Sequence, residues 1–331
     1  MAAPSALLAN RFTKIRAPTL KTNLLSCFST KPRANSPLLR FAAILTLHGL
    51  LSTAAHAQVF AGDSTTNAIV EYSLFNGSVI NYSFVTGLNS PTGLAVSGGN
   101  LFVANFNGGN IGTYPLSGAT GNPSLITGLV NPEGLAISGS DIFIVNNGNG
   151  TIAEYTTSGV LVNATLVSGL NQSPIGIAVS GGNLFVVNFN NGSIGKYSTS
   201  GATINATLVS GLVHPFFLGI SGSDIFVQNA NTGTVGEYTT SGGTVNATLI
   251  SGLSDPISVT VYGSDLFVLN GISHAIGEYT TSGAPVNTAL ISGVQGPYNL
   301  VVVPEPSTWT LLAGGAAALF ALSRRRRNQS T

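Results

Sequence analysis

The stretch SPTGLAVSGGNLFVANFNGGNIGTYPLSGATGNPSLITGL, residues 90–129, returns along the chain with near-constant spacing. Four kinds of residue mark the repeat, each six times, at intervals of 41 or 42 residues. The markers are Pro91, Pro132, Pro174, Pro215, Pro256 and Pro297; Phe60, Phe102, Phe143, Phe185, Phe226 and Phe267; Tyr72, Tyr114, Tyr155, Tyr197, Tyr238 and Tyr279; and Asn81, Asn122, Asn163, Asn205, Asn246 and Asn287. Four independent series with one period indicate an internal structural repeat.

Each repeat is predicted to form four short strands. In one copy these are GLAI (134–137), IFIVN (142–146), TIAEY (151–155) and NATLVS (163–168). The runs are rich in β-branched and aromatic residues, and Gly, Asn, Ser and Thr separate them. A period in the forties built from four strands is typical of a propeller blade. The sequence therefore predicts an all-β fold, a six-bladed β-propeller of four-stranded antiparallel blades.

The two ends of the repeat region predict how the ring closes. Its first strand, VFAGD (59–63), corresponds to the second strand of a blade, and its last, YNLVVV (298–303), corresponds to a first strand. Pairing of these two strands would complete the sixth blade and leave the sheet without an open end. We therefore place the propeller at residues 58–303, closed by its N- and C-terminal strands.

Residues 1–57 have the pattern of a signal peptide with a long basic segment. Seven basic residues precede the apolar run FAAILTLHGLLS, and the small residues of AHA (55–57) follow it. This order predicts export and cleavage between Ala57 and Gln58. A mitochondrial transit peptide is the alternative, because the first 40 residues are basic, contain serine and lack acidic residues.

The charge of the chain excludes one large class of function. Between residues 58 and 303 Lys196 is the only basic side chain against ten carboxylates, a net charge of −9. A domain without a basic patch cannot neutralise phosphates, so we expect no nucleic-acid partner. The single cysteine, Cys27, lies in the leader, so the processed chain has no disulfide or thiol chemistry.

The C-terminus carries a second targeting pattern. Pro304-Glu305-Pro306 precedes the apolar run 309–322, which is followed by Arg324, Arg325, Arg326 and Arg327. This order resembles the PEP-CTERM sorting signal, here residues 304–327, with a tail at 328–331. The resemblance implies a transmembrane helix that holds the chain in the inner membrane until an exosortase cleaves it, in a Gram-negative, exopolysaccharide-producing bacterium. A plain single-span anchor is the alternative.

The repeats themselves resemble NHL and YVTN repeats. PTGLAVSGGNLFVAN (91–105) matches their pattern closely, whereas 214–229 and 255–270 are diverged copies. The resemblance implies the fold over residues 59–303 and leaves the function open, because propellers include enzymes, scaffolds and binding proteins.

A polar residue stands three positions after each marker phenylalanine. The six are Asp63, Asn105, Asn146, Asn188, Asn229 and Asn270. Repetition favours a structural role, in which each side chain bonds its own loop backbone. The alternative is a ring of oxygen ligands for calcium or for a sugar hydroxyl.

The loops after these residues are rich in Asn and Gly and contain Phe106 and Phe189. Amides pair with hydroxyls and aromatic rings stack on sugar faces, so this face suits polysaccharide. Ordinary turn chemistry is the alternative explanation.

The pattern predicts no catalytic residue and no cofactor. His214 and His274 lie in different loops that propeller geometry places on the same face, and neither belongs to a metal-ligand motif. The leading hypothesis is a monomeric, non-enzymatic protein of the cell surface or extracellular matrix that binds exopolysaccharide or another envelope component. The alternative is a metal-dependent lactonase-like or lyase-like propeller enzyme.

Overall fold

The computed structural model describes residues 57–170 and 173–304. Their strands form six four-stranded sheets, and strand pairing within each is antiparallel. This confirms the predicted six-bladed propeller.

The strands follow one another along the chain with little other regular structure. The first three blades contain β1 (Gln58–Asp63), β2 (Ala68–Ser73), β3 (Val79–Val85), β4 (Pro91–Ser97), β5 (Asn100–Asn105), β6 (Asn110–Pro115), β7 (Asn122–Thr127), β8 (Pro132–Ser138), β9 (Asp141–Asn146), β10 (Thr151–Thr156) and β11 (Leu161–Val167). The next strands are β12 (Pro174–Ser180), β13 (Asn183–Asn188), β14 (Ser193–Ser198), β15 (Thr203–Val209), β16 (Leu218–Ser221), β17 (Asp224–Asn229), β18 (Thr234–Thr239), β19 (Thr244–Ile250), β20 (Pro256–Tyr262), β21 (Asp265–Asn270), β22 (Ala275–Thr280), β23 (Pro285–Ser292) and β24 (Pro297–Val303). Short 3-10 helices at Asn147–Asn149 and Ala230–Thr232 follow β9 and β17.

The ring is closed by β24, which we call the closing strand. Its sheet has the order β24-β1-β2-β3, with Val303 opposite Gln58 and Val302 opposite Val59. In the other five blades the strands are ordered from the axis outward as they occur in the chain. The inner strands β24, β4, β8, β12, β16 and β20 contact one another around the axis. The closing strand is thus an inner strand, as predicted.

The marker phenylalanines form the contacts between blades. Phe185 of β13 is 1% exposed and packs against Ile225 and Val227 of the next blade. Phe267 packs in the same way against Val59, which belongs to the blade that the closing strand completes. Burying a phenylalanine removes a large apolar area from water, so one residue repeated six times stabilises every blade interface.

Neighbouring inner strands approach each other closely where glycine stands two residues after the marker proline. A Cβ atom on Gly93 or Gly134 would clash with a backbone carbonyl of the neighbouring inner strand, and one on Gly176 would clash with the carbonyl of Phe216, just before the next inner strand. In the other half of the ring larger residues stand there, and Ser258 Oγ donates a hydrogen bond to Asn299 Oδ1 over 2.7 Å. The channel wall is therefore not sixfold symmetric.

The marker asparagines shape the outer strands. In every blade the Oδ1 atom accepts a hydrogen bond from the backbone N–H two residues later, for example from Ser124 to Asn122 over 3.1 Å. The register between third and fourth strands shifts near the same place. The repeated Asn thus holds a bulge in an edge strand, and bulged edges are poor templates for pairing with another chain.

This role predicts the effect of substitutions at Asn122. Asn122→Ala leaves the N–H of Ser124 without its partner and should cost about 1 kcal/mol of unfolding free energy. Asn122→Asp keeps the accepting oxygen and faces Thr113, an uncharged residue, across the strand pair. It should therefore stay close to the wild type in urea unfolding. Equal losses in the two variants would contradict the role of this hydrogen bond.

Candidate functional site

The two faces of the propeller carry different segments. The upper face is the one that carries the loop between the second and third strands of each blade and the connector that leads into each first strand. A hydrogen bond from Phe106 N to Ser90 O, 3.0 Å, joins one such loop to its connector. The lower face carries the other two hairpins of each blade, joined for example by Thr157 N to Ser140 O over 2.7 Å. The candidate ligand-binding residues named from the sequence lie on the upper face.

The six polar residues that follow the marker phenylalanines end their strands at the upper face and are buried. They are Asp63, Asn105, Asn146, Asn188, Asn229 and Asn270, each 3–5% exposed. The Oδ1 atoms of Asn105, Asn146, Asn229 and Asn270 accept backbone N–H groups of the adjacent connectors. Asp63 accepts the N–H groups of Thr65 and Thr66. The bonds of these five side chains supply the loop-shaping role. The Oδ1 atom of the sixth, Asn188, has no partner among the described residues, and its Nδ2 donates to Ser193 Oγ over 3.2 Å. The ligand ring stays a prediction.

Phe189 lies at the centre of an aromatic cluster on the upper face. Its ring stacks on the imidazole of His214 with centroids 4.9 Å apart and an interplanar angle of 19°. Phe216 lies 5.0 Å from it at a tilted angle. Both phenylalanines are half-buried and His214 is exposed, so the cluster presents apolar surface to solvent. Phe106, also half-buried, lies in another blade, where its carbonyl accepts Asn131 Nδ2 over 3.4 Å.

The surface around this cluster is rich in uncharged amides. Exposed asparagines of the upper-face loops and connectors are Asn89, Asn107, Asn149, Asn190, Asn191 and Asn231. The carboxylates of the first hairpins lie instead on the lower face, at Asp141, Asp224 and Asp265. The upper-face connectors also carry one half-buried carboxylate, Asp255, and the lower face carries the exposed ring of Phe75, so the faces differ chiefly in their exposed amides.

The two histidines lie on the upper face, as the topology predicted, but in different surroundings. His214 stacks on Phe189, whereas His274 Nδ1 is 2.9 Å from the carbonyl of Val294. His214 has a positive φ of 49°, as do all the residues that precede an inner-strand proline. Its backbone conformation thus belongs to the repeat and is no sign of a separate role.

A polar pair, the buried Glu133 and the half-buried Tyr298, crosses the central channel. Tyr298, on the closing strand, donates a hydrogen bond from its hydroxyl to Oε1 of Glu133 on β8, two inner strands away. On its other side the Tyr298 ring makes an edge contact with Phe217, centroids 5.9 Å apart. Phe217 directly precedes β16. The tyrosine therefore spans the channel and joins three blades.

Glu133 is the most perturbed carboxylate of this site. It is 4% exposed, and burial raises its pKa to about 7, although hydrogen bonds from Tyr298 and Asn147 oppose the shift. Burial and the adjacent Glu133 raise the pKa of the Tyr298 hydroxyl, which stays protonated as a donor. A carboxyl that titrates near neutrality could serve acid–base chemistry or act as a purely structural hydrogen-bond partner.

The sequence did not predict this pair, because the prediction relied on residues that are the same in every repeat. The residues that follow the six marker prolines are Thr92, Glu133, Ile175, Phe216, Ile257 and Tyr298. Marker positions keep one residue type, whereas this position next to the channel changes in almost every blade. Variation at one position of a repeat was the available signal.

The predicted signal-cleavage site and the start of the sorting motif lie together at the lower face. Gln58, the first residue after the predicted signal cleavage, pairs with Val303, and Pro304 is exposed directly after it. Ala57 is buried, and its carbonyl accepts the N–H of Leu74 over 2.9 Å. The remaining sorting residues, Glu305, Pro306 and Arg324 to Arg327, lie outside the described part of the chain, as do residues 1–56 of the predicted leader.

Sequence comparison tests the C-terminal prediction. Residues 302–327 match the PEP-CTERM protein-sorting motif. The PEP-CTERM motif implies processing by an exosortase and export to the cell envelope or surface, which confirms the sorting signal expected from residues 304–327. The match begins inside the closing strand, at Val302. No curated protein matches the chain significantly.

Solved structures resemble the propeller of this chain. A structure of a nidogen/laminin complex aligns with a TM-score of 0.62 and 18% identity over 74% of this chain and 97% of that chain. A streptogramin B lyase aligns with a TM-score of 0.57 and 16% identity over 74% and 85% of the two chains. A catalytically inactive virginiamycin B lyase from Staphylococcus aureus, solved with quinupristin, aligns with a TM-score of 0.50 and 21% identity over 63% and 73%. At these identities the similarity supports the propeller fold alone.

Among residues 57–170 and 173–304, no helix is long and apolar enough to cross a membrane. The apolar run 309–322, where a transmembrane helix was expected, lies outside this range. The same residues contain no group of three or more His, Cys, Asp or Glu side chains arranged to hold a metal ion.

Proposed function

We propose that this protein is an exosortase-processed surface protein whose propeller binds extracellular polysaccharide without catalysing a reaction. The host would be a Gram-negative bacterium, and the processed protein would act as a monomer in the extracellular matrix. The observation that carries the proposal is the cluster of Phe189, His214 and Phe216 among exposed asparagines on the upper face.

The chemistry of that face fits a sugar chain. Amide groups both donate and accept hydrogen bonds, as sugar hydroxyls do, and an aromatic face covers the C–H groups of a pyranose ring. Because the exposed loop asparagines come from several blades, a chain lying across this face would meet them repeatedly. Few charges stand nearby, so the affinity should depend little on salt.

A glycan array and a retention assay test the binding. The propeller domain should bind at least one extracellular glycan and should be retained on exopolysaccharide prepared from its own host. Absence of both signals would remove the proposal. Retention that disappears above physiological salt would instead indicate an electrostatic interaction.

A substitution at Phe189 locates the binding surface. Phe189→Ala removes the central ring of the cluster and should weaken glycan binding roughly tenfold, ~1.4 kcal/mol. Tyr82→Ala is a matched control, because Tyr82 is an aromatic residue on the outer strand of another blade, 74% exposed. Both variants should keep a cooperative melting transition. Equal loss of affinity in the two would contradict binding at the upper face.

A lactonase-like or lyase-like enzyme is the second candidate, and Glu133 is the observation that favours it. Its pKa near 7 would suit a general acid or base, and the channel is where the repeat symmetry breaks. The Tyr298 ring and the buried position of Glu133 restrict the access of a substrate to that carboxyl.

Calcium and a Glu133 variant distinguish the two candidates. A metal-dependent enzyme should gain thermal stability when calcium is added, since a bound ion stabilises the native state by mass action. If the propeller is an enzyme, Glu133→Gln should abolish its hydrolase or lyase activity. If it is a binding protein, Glu133→Gln should leave glycan retention intact. Loss of retention in Glu133→Gln would oppose the upper-face proposal.

A further inference from the structure

The two ends of the propeller, Ala57 and Pro304, stand in the place of a lower-face hairpin. In the other five blades a two-residue turn joins the first and second strands, as Gly98 and Gly99 do between β4 and β5. In the blade of the closing strand the same place is occupied by Pro304 on one side and Ala57 on the other. The N–H of Leu74 bonds to Ala57 O just as the N–H of Leu116 bonds to Gly99 O, which confirms the equivalence. The predicted signal-cleavage site and the start of the sorting motif therefore lie at one turn.

This turn lies close to the propeller axis. The closing strand is an inner strand, and its neighbours β20 and β4 are inner strands as well. It runs from the upper face at Pro297 to the lower face at Val303, a length of roughly 20 Å at the rise of a β-strand. The segment that continues into the sorting motif thus leaves the middle of the lower face and not the rim of the disc.

The connection to the apolar run is short. Residues 304–308 separate the end of the closing strand from Trp309, where the run begins. Five residues span at most about 18 Å even when fully extended. Val303 itself is buried with Phe60 and Leu94, so the tether cannot lengthen without unfolding the blade.

We propose that the membrane-tethered precursor presents its lower face to the membrane and displays its upper face outward. A short tether attached near the axis restricts tilting of the disc more than one attached at the rim would. The carboxylates of Asp141, Asp224 and Asp265 on the lower face disfavour adsorption to anionic lipid. Retention at the membrane therefore depends on the tether, and cleavage beyond Pro304 frees the domain from the bilayer. The inference rests on the exosortase part of the proposed function and is independent of the ligand.

Single cysteines report the orientation, because Cys27 is the only native cysteine and lies in the leader. Asn190→Cys places a thiol on the upper face and Ser140→Cys places one on a lower-face turn, and both positions are exposed. The full-length variants are expressed in cells without exosortase, and spheroplasts are treated with a maleimide carrying a bulky polyethylene glycol chain. The thiol of Asn190→Cys should react several-fold faster than the thiol of Ser140→Cys.

Matched variants that end at Pro304 supply the reference rates. Without the tether the two thiols should react at similar rates, and the shortened chain should leave the membrane fraction. Equal rates in the tethered protein, faster labelling at position 140, or a full-length chain that does not sediment with membranes would overturn the inference. Failure of glycan binding would leave the labelling result unchanged, so the two proposals fail separately.

Discussion

A chain that ends at Gly296 should not fold cooperatively, whereas a chain that ends at Pro304 should melt like the intact propeller. The shorter chain lacks the closing strand, so β1 loses its inner partner and the cores around Val59 and Phe60 open to water. The expected loss is on the order of the whole stability of a domain, about 5–15 kcal/mol. Circular dichroism melting and gel filtration of both chains measure it.

The two chains differ only in residues 297–304, which makes the longer one a direct control. Removal of these residues also leaves Glu133 without the hydroxyl of Tyr298 and Ser258 without Asn299. A synthetic peptide, PYNLVVVP, should restore the melting transition of the shorter chain, and a scrambled peptide should not. A cooperative transition of the shorter chain at the wild-type temperature would show that the ring does not depend on its closing strand.

The second large effect concerns pH. The pKa of Glu133 is about 7 in the folded protein against a value of 4.5 for an unperturbed carboxyl. Between these values the folded state binds a proton that the unfolded state has released, so the unfolding free energy falls as pH rises. The contribution is complete below pH 4.5 and is lost above about pH 7, a change of about 3 kcal/mol.

Glu133→Gln removes this titration and keeps an oxygen that accepts from Tyr298. The variant should therefore be more stable than wild type at pH 8, and its advantage should shrink toward pH 5. Glu237→Gln is the control, because burial and Asp224 also raise the pKa of that half-buried carboxyl. Its effect should be smaller since solvent screens it. A pH dependence unchanged by Glu133→Gln would contradict the perturbed, buried carboxyl of Glu133.

The repeat markers were sufficient to predict the architecture, and the structure gives the reason for each. Phe185 packs against the next blade, Asn122 holds an outer-strand bulge, and the ring of Tyr197 lies over Gly195, where a Cβ atom would clash with it. A constraint that acts in every blade fixes the same residue type in most or all copies. Such constraints produce a period that can be read from one sequence.

The channel could not be predicted in the same way, because its side chains meet only after the ring closes. Tyr298 and Glu133 are 165 residues apart in the chain, and neither follows a local pattern. One first strand, β16, is shorter than the others, because Pro215, Phe216 and Phe217 precede it and do not pair with β17. This shortening is likewise a tertiary effect. The aromatic cluster arises there, since Phe216 meets Phe189 of the preceding blade.

A disulfide between the terminal strands tests the central claim, closure of the six-bladed ring by pairing of β24 with β1. Val59 and Val302 are opposite each other and pack against the same core, whereas Val301 packs against the core on the other side of the sheet. On mild oxidation of the processed domain, Val59→Cys with Val302→Cys should form an intramolecular disulfide, detected by mass spectrometry, and Val59→Cys with Val301→Cys should not. Absence of the first disulfide, or equal yields of both, would contradict the closed ring.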